Sequence, residues 1–380
     1  MSEKRSRTIG VVTQKMLWGV AAGRCEFQGC NEILSEHGIT KDEGNFAENA
    51  HVEAVSEGGA RYKEYILEED LNSIDNLMLL CAGCHKYIDE NEEDYPVEIL
   101  KDMKKKHEDR VRKVTEDSDT LNSVMINYFA NIKDVNPFYN DVLFRRAVIR
   151  NRCVPVDKYS IAIGSDISFL NDGTKEYYMI QNKQLEENFI KKIKPTLDHA
   201  ENVAIFALAP QPLLIKLGYI MSDIRSVSVY QCHRNEEKWS WQDTDDTVEY
   251  KIQKANEKNI RDEVAINISL SAEIINDRIW YVTDAGMPVY TIIIDEPNRN
   301  FVTNQAIVDE FVKSFRKCVE MIKNDHQNVR RIKIFPAMPN SLAVRLGMDI
   351  MPKTDPIFEI YDQISQEEGF MKTLEIGGEV

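Results

Sequence analysis

Two close pairs of cysteines constrain the first quarter of this chain more than any other feature. Cys25 and Cys30 have four residues between them in Gly23-Arg24-Cys25-Glu26-Phe27-Gln28-Gly29-Cys30. Cys81 and Cys84 have two between them in Leu79-Leu80-Cys81-Ala82-Gly83-Cys84-His85. Two such knuckles can supply four thiolates to one tetrahedral zinc ion, and a closed four-cysteine site is structural. A region with weak apolar periodicity needs such a staple, because metal binding adds directly to folding free energy. The other three cysteines, Cys153, Cys232 and Cys318, are isolated and read as small buried hydrophobes. An odd total of seven argues against a disulfide framework.

At 380 residues the chain is long enough for two domains. Its 43% apolar and 29% charged residues are ordinary for a folded protein. No run of 18 apolar residues occurs, so no membrane span is expected. The basic start Lys4-Arg5-Ser6-Arg7 is followed by an apolar run that Gln14 and Lys15 break. That makes a poor export signal, and a cytoplasmic location is expected. A net charge of −16 excludes a simple cationic coat for nucleic acid, so any DNA contact must be local. Up to residue 120 there are 16 basic and 26 acidic residues, a local charge of −10. Against this stands a helical pattern over Ile99–Val114, with Lys101, Lys104, Lys105, Lys106, Arg110, Arg112 and Lys113 on its polar face. It reads either as a solvated face or as a phosphate-contacting helix.

Thr115–Thr120 is polar and reads as a linker, and residues 121–150 read as helical, with a break at Asn136-Pro137. From about residue 155 strands and helices alternate. Strands are expected at Tyr159–Gly164, Val203–Ala209, Val227–Gln231, Val264–Leu270, Val289–Ile294 and Ile332–Phe335. Helices are expected at Lys183–Ala200, Pro212–Asp223, Thr303–Lys323 and Ser341–Leu346. The alternation argues for an α/β domain with mostly parallel sheet. Neither a GxGxxG fingerprint nor a GxxxxGK[ST] loop is present.

Between and after the knuckles the chain reads Asn49-Ala50-His51-Val52-Glu53-Ala54, Gly58-Gly59, Asp75-Asn76-Leu77, Cys84-His85 and Asp89. With the C-x4-C and L-L-C-x-x-C-H segments, residues 20–90 resemble the HNH endonuclease family, whose core is a ββα-metal unit. The resemblance implies that His51 is the general base that activates water. It makes Asn76 the residue that orients the His51 region through backbone hydrogen bonds, and His85 a ligand of a catalytic divalent ion. Asp89, one helical turn beyond His85, suits a second ligand. A hard cation such as Mg²⁺ or Mn²⁺ would accept its oxygen and the substrate phosphate. Many family members carry an acidic metal ligand just before the base; here that position is Ala50.

Two other patterns overlap the same residues. His51-Val52-Glu53 with Cys81 and Cys84 imitates the zinc-deaminase signature, but residue 80 is Leu rather than Pro, and a deaminase has no use for Cys25, Cys30 or His85. Cys81-Ala82-Gly83-Cys84-His85 also fits c-type haem attachment, which needs an exported chain and an axial partner.

The second half carries Ala209-Pro210-Gln211-Pro212-Leu213-Leu214, Tyr230-Gln231-Cys232-His233-Arg234 followed by Trp239-Ser240-Trp241, and Phe335-Pro336-Ala337-Met338-Pro339-Asn340-Ser341-Leu342-Ala343. Each follows a strand, where α/β sheets bind ligands and helix starts favour phosphates. Together, over about 150–380, these segments resemble the SAVED domain, a cyclic-oligonucleotide sensor. The resemblance implies Gln231, Arg234, Trp239, Trp241, Ser271, Pro336, Met338 and Arg345 as ligand contacts.

The expected fold is an α+β, zinc-stapled ββα-metal (HNH) domain over 1–114, a linker and connecting helices over 115–150, and an α/β SAVED domain of two fused Rossmann-like (CARF-type) units over 151–380. An HNH domain fused to SAVED has the layout of an effector nuclease in CBASS anti-phage defence. That layout implies a cyclic di- or trinucleotide made by a partner nucleotidyltransferase, double-stranded DNA as substrate, and a homo-oligomer that grows on activation. The alternative is a cyclic-nucleotide sensor or scaffold whose degenerate HNH module binds nucleic acid without cutting it.

Overall fold

The structure is a computed structural model that describes residues 8–63, 68–115, 120–131, 140–164, 173–224, 226–233, 239–365 and 369–378. The chain divides into two compact units between Asp119 and Thr120. Among the described residues no helix is long and apolar enough to cross a membrane.

The first unit contains α1 (Val11–Val20), β1 (Ala47–His51), the single turn α2 (Glu68–Leu71), β2 (Leu77–Cys81), α3 (Ala82–Glu90) and α4 (Val97–Thr115). Leu77–Leu80 is a continuous apolar run, buried throughout as a strand covered on both faces must be. It pairs antiparallel with β1, Ala50 opposite Met78 and His51 opposite Leu77. Leu17 of α1, Ala50, Ile88 of α3 and Val97 and Leu100 of α4 complete one small core with it. The β1–β2 hairpin and α3 thereby form a ββα arrangement.

The second unit holds two sheets. The first contains β3 (Leu121–Phe129), β4 (Cys153–Pro155), β5 (Ile161–Ala162), β6 (Asn202–Leu208) and β7 (Val227–Tyr230). Its strands run parallel in the order β4-β3-β6-β7, with β5 beside β3. Helices α5 (Asp141–Arg150), α6 (Lys175–Asn188) and α7 (Gln211–Ile220) connect them. The second sheet contains β8 (Lys251–Ala255), β9 (Glu263–Ser269), β10 (Val289–Ile293), β11 (Arg331–Ala337), β12 (Ile357–Ser365) and β13 (Gly369–Ile376), with α8 (Asn276–Val282), α9 (Gln305–Asp325) and α10 (Asn340–Asp349). Its order is β13-β12-β11-β9-β10-β8; the four inner strands are parallel and the two edges antiparallel. One apolar core runs through both sheets by way of α7 and α10.

Several expectations are corrected here. Residues 121–129 are a strand, not helix: Val124–Tyr128 is buried, with Val124 opposite Val203 in the sheet. Only Asp141–Arg150 is helical, capped by the Asn140 side chain accepting from the Val142 N–H. The Asn136-Pro137 break lies outside the described residues. The second unit therefore starts at Thr120 rather than at 151. The strand expected over Tyr159–Gly164 shrinks to two residues. The helix expected to reach Ala200 leaves α-geometry at Phe189 and continues as a π turn and then a 3-10 turn, where Pro195 sits at the start.

Candidate functional site

Cys25 and Cys30 follow α1, Cys81 ends β2, and Cys84 lies in the first turn of α3. Gly29 makes the first knuckle possible with φ +90, which favours glycine. The second is tied by the Cys84 N–H donating to Cys81 Sγ at 3.4 Å. All four sulfurs lie within 4.8 Å of one another, and Cys30 and Cys81 are 4.0 Å apart. A tetrahedral zinc–thiolate site, with bonds of about 2.3 Å, has sulfur–sulfur edges of about 3.8 Å. The four donors fit such an ion by type, number and spacing. Burial pushes the Cys25 thiol up to about 12, and the neighbouring Cys30 and Cys81 sulfurs push the same way. Burial and the neighbouring thiols raise Cys84 as well. A cation would reverse that preference, because it binds the thiolate.

Beside the knuckle, a cleft of about 190 Å³ is lined by His51, His85, Asp89 and the 54–60 loop. His51 ends β1, while His85 and Asp89 sit one turn apart on α3. His85 Nε2 is 3.4 Å from Asp89 Oδ2. Asn76, only 6% exposed, fastens the chain just after His51. Its Oδ1 accepts from the Glu53 N–H at 3.0 Å, and its Nδ2 donates to the Glu53 and Leu71 carbonyls at 3.1 and 3.0 Å. Its own carbonyl accepts from the Val52 N–H at 2.8 Å.

Three further residues grip this cleft, and sequence reasoning missed them. Asn72 Oδ1 lies 3.0 Å from His51 Nε2. An amide oxygen only accepts, so the proton sits on Nε2 and Nδ1 keeps a lone pair. Glu48 Oε2 lies 2.5 Å from His85 Nδ1. Arg61, in the left-handed region at φ 55, has an almost fully buried side chain. It donates to the Val52 and Ile88 carbonyls and, at 2.6 Å, to Asp89 Oδ1. Ala50 packs into the apolar core at 1% exposure, so a carboxylate there would be buried.

The basic face of α4 is largely neutralised. Lys104 is buried against Glu108 and Glu26, Lys106 pairs with Asp102, Arg112 with Asp109, and Lys101 with Glu53. Arg110 is hydrogen-bonded to Asn31 and His107 rather than to a carboxylate, so a phosphate-contacting role would rest on Lys105, Arg110 and Lys113.

In the second unit, α7 and α10 carry a repeat not recognised from sequence. Ile205-Phe206, Pro210, Leu213 and Leu217-Gly218 recur as Ile334-Phe335, Pro339, Leu342 and Leu346-Gly347, always 129 positions on. The helices cross at the two glycines. A Cβ on Gly218 would lie 1.9 Å from the Val344 carbonyl oxygen, and one on Gly347 1.9 Å from that of Ile215. The matched Gln211 and Asn340 reach across: Asn340 Nδ2 donates to the Ala207 carbonyl at 2.7 Å, and Gln211 Oε1 accepts from the Met338 N–H at 3.2 Å. Gln231 Oε1 accepts from the Ser341 hydroxyl at 2.7 Å and its N–H at 3.2 Å, and the Ser271 N–H donates to the Ala337 carbonyl. Gln231, Ser271 and Met338 are thus brought to the strand ends beside the start of α10, with Gln231 buried and Met338 packed in the apolar core.

Trp239, Pro336 and Arg345 are not. Trp239 is corrected: at 2% exposure it is core, edge-on to Phe129, Phe144 and Phe206, and cannot stack a ligand. Pro336 is buried inside β11. Arg345 lies further along α10, 3.6 Å from Asp309. Trp241 is half-buried against Tyr230 and His233. Arg234 lies outside the described residues. His233, in the Tyr-Gln-Cys-His run, was not singled out; it is buried, and its Nε2 has no hydrogen-bond partner among the described residues. Burial lowers its pKa.

The second unit is thus an α/β domain of two Rossmann-like sheets joined through crossed helices. Residues 185–376, just over half of the chain, match SAVED, the "SMODS-associated and fused to various effectors sensor domain", and the chain belongs to that family. Among solved structures, the Acinetobacter baumannii Cap4 SAVED/CARF-domain containing receptor with the cyclic trinucleotide 3'3'3'-cAAA is similar at 12% identity and TM-score 0.43. That match covers 77% of this chain and 61% of the other. The Moraxella osloensis Cap4 SAVED/CARF-domain containing receptor is similar at 12% identity and TM-score 0.39, covering 77% and 64%. This chain therefore spans less than two thirds of the length of those solved chains. No curated protein matches it significantly.

Proposed function

We propose that this chain is a cyclic-nucleotide-activated DNA endonuclease, an effector of CBASS anti-phage defence. Its second unit binds a cyclic di- or trinucleotide, the chain assembles into a larger oligomer, and the first unit hydrolyses double-stranded DNA. The observation that carries the reading is the cleft shared by His51, His85 and Asp89 on a ββα frame stapled by four cysteines, in a chain that belongs to a sensor family.

Cys25, Cys30, Cys81 and Cys84 would hold a structural zinc ion. His85 and Asp89 would hold a catalytic Mg²⁺ or Mn²⁺; ligand atoms 3.4 Å apart fit two adjacent positions on a cation of that size. Such a cation supplies positive charge to the phosphate during attack. His51 Nδ1 takes the proton from water as general base, while Asn72 holds Nε2 and Asn76 holds the backbone beyond it. In the sensor, Gln231, Ser271 and Ser341 border the start of α10, where an anion is favoured.

The test is nicking of supercoiled plasmid with Mg²⁺ or Mn²⁺ across a panel of cyclic di- and trinucleotides. One nucleotide should switch cutting on, and His51→Ala should abolish it with zinc content unchanged. Nucleotide binding without any cutting would favour the sensor or scaffold reading instead.

A further inference from the structure

His85 lies between two carboxylates. Glu48 of β1 meets Nδ1 at 2.5 Å, and Asp89 of α3 faces Nε2 at 3.4 Å. A carboxylate only accepts, so the proton shared with Glu48 belongs to Nδ1, and in the neutral ring the Nε2 lone pair then faces Asp89 Oδ2. Two acceptors at that distance repel unless a proton or a cation lies between them. Arg61 already engages the other Asp89 oxygen, which leaves Oδ2 directed at the histidine.

We infer that Glu48 is the positioning residue of the divalent-cation site, fixing the His85 tautomer so that Nε2 is the metal-binding nitrogen. The inference rests on the nuclease reading. It also accounts for Ala50: strand alternation puts residues 48 and 50 on one face, but position 50 is buried in the core. The first-strand acid therefore stands two residues earlier, at the hairpin's exposed end, and contacts the histidine's far nitrogen. Glu48 and Asp89 meet opposite edges of the imidazole ring, so Glu48 acts through His85. Carboxylates that hold the far nitrogen of a metal-binding histidine orient the ring and raise its basicity, and losing one typically weakens metal binding roughly 10–100-fold.

Mn²⁺ binding to the zinc-loaded full chain, followed by the electron paramagnetic resonance of free Mn²⁺, tests this. Glu48→Ala should weaken binding roughly 10–100-fold. Glu48→Gln, whose amide oxygen still accepts from Nδ1, should retain most of the affinity. Zinc content and thermal midpoint should be unchanged in both. Cutting by Glu48→Ala should need more Mn²⁺ but reach a similar maximal rate. Wild-type affinity in Glu48→Ala, with binding lost in His85→Ala, would overturn the role of Glu48 and leave the nuclease reading standing. Equal losses in the Ala and Gln variants would make Glu48 a direct ligand and overturn the inference. Unchanged Mn²⁺ binding in His85→Ala would remove the cation site itself, and both readings with it.

Discussion

Asn76 concentrates the logic of the cleft in one buried amide. It satisfies the Glu53 N–H and carbonyl and the Leu71 carbonyl. Leaving a buried donor or acceptor unpaired costs about 1–3 kcal/mol. Asn76→Ala should therefore lower the thermal midpoint of the first unit and abolish cutting while its zinc content stays whole; calorimetry and elemental analysis check this, and an unchanged midpoint would contradict it. Trp239→Ala removes a core aromatic, at a cost of about 3–5 kcal/mol, so it should unfold the sensor rather than merely weaken its ligand binding. Trp241→Ala should leave the unit folded by circular dichroism. His51, Asn76, His85 and Asp89 were singled out because they fall in short contiguous segments that resemble a known motif, Asn49–Ala54, Asp75–Leu77 and Cys84–Asp89. Glu48, Asn72 and Arg61 were not, because their meaning lies in contacts 21 to 37 residues away in sequence. Trp239 misled for the complementary reason: an aromatic after a strand looks the same in sequence whether it faces a ligand or a core.

At the scale of elements, each unit has a feature of its own whose loss should be readable within that unit. The crossing of α7 and α10 has no room for a methyl group at either glycine. Gly347→Ala must push two helix backbones apart, at a cost of about 1–3 kcal/mol or more, and Gly218→Ala acts on the same crossing, so the double variant should be non-additive. The readout is a lowered thermal midpoint of the second unit alone. In the first unit, Cys25→Ser or Cys84→Ser should lose about one zinc ion per chain and unfold the region around the hairpin, since a structural site contributes on the order of 10 kcal/mol. A wild-type protein without zinc by elemental analysis would refute the four-cysteine site. The strands β9, β10 and β11 and the helices α7, α9 and α10 were readable as continuous apolar runs and 3.6-residue stripes, whereas β12 was not expected. β3 was not, because a strand buried on both faces has no period of two to distinguish it from a helix. β8 escaped as well: Lys251–Ala255 is an exposed, polar edge whose place is set only by pairing with β10.

For the whole molecule, the charge of −16 disfavours casual contact with DNA, and few unpaired cations remain on α4. In the reading proposed above, α4 of a single copy offers few phosphate contacts, and several copies aligned on DNA would add theirs. A ligand can switch such a nuclease only through a state that it binds preferentially. That state is the assembled one in the reading proposed above. The second unit has its own core, so a fragment starting at Thr120 should bind the nucleotide and grow in mass by light scattering. The most direct measurement is the plasmid cleavage rate of the full chain, titrated with the nucleotide that the 120–380 fragment binds. The rate should rise from near zero with a midpoint that tracks binding to the fragment. Cutting at the same rate with no nucleotide present, or no cutting at saturation, would contradict a nucleotide-gated nuclease.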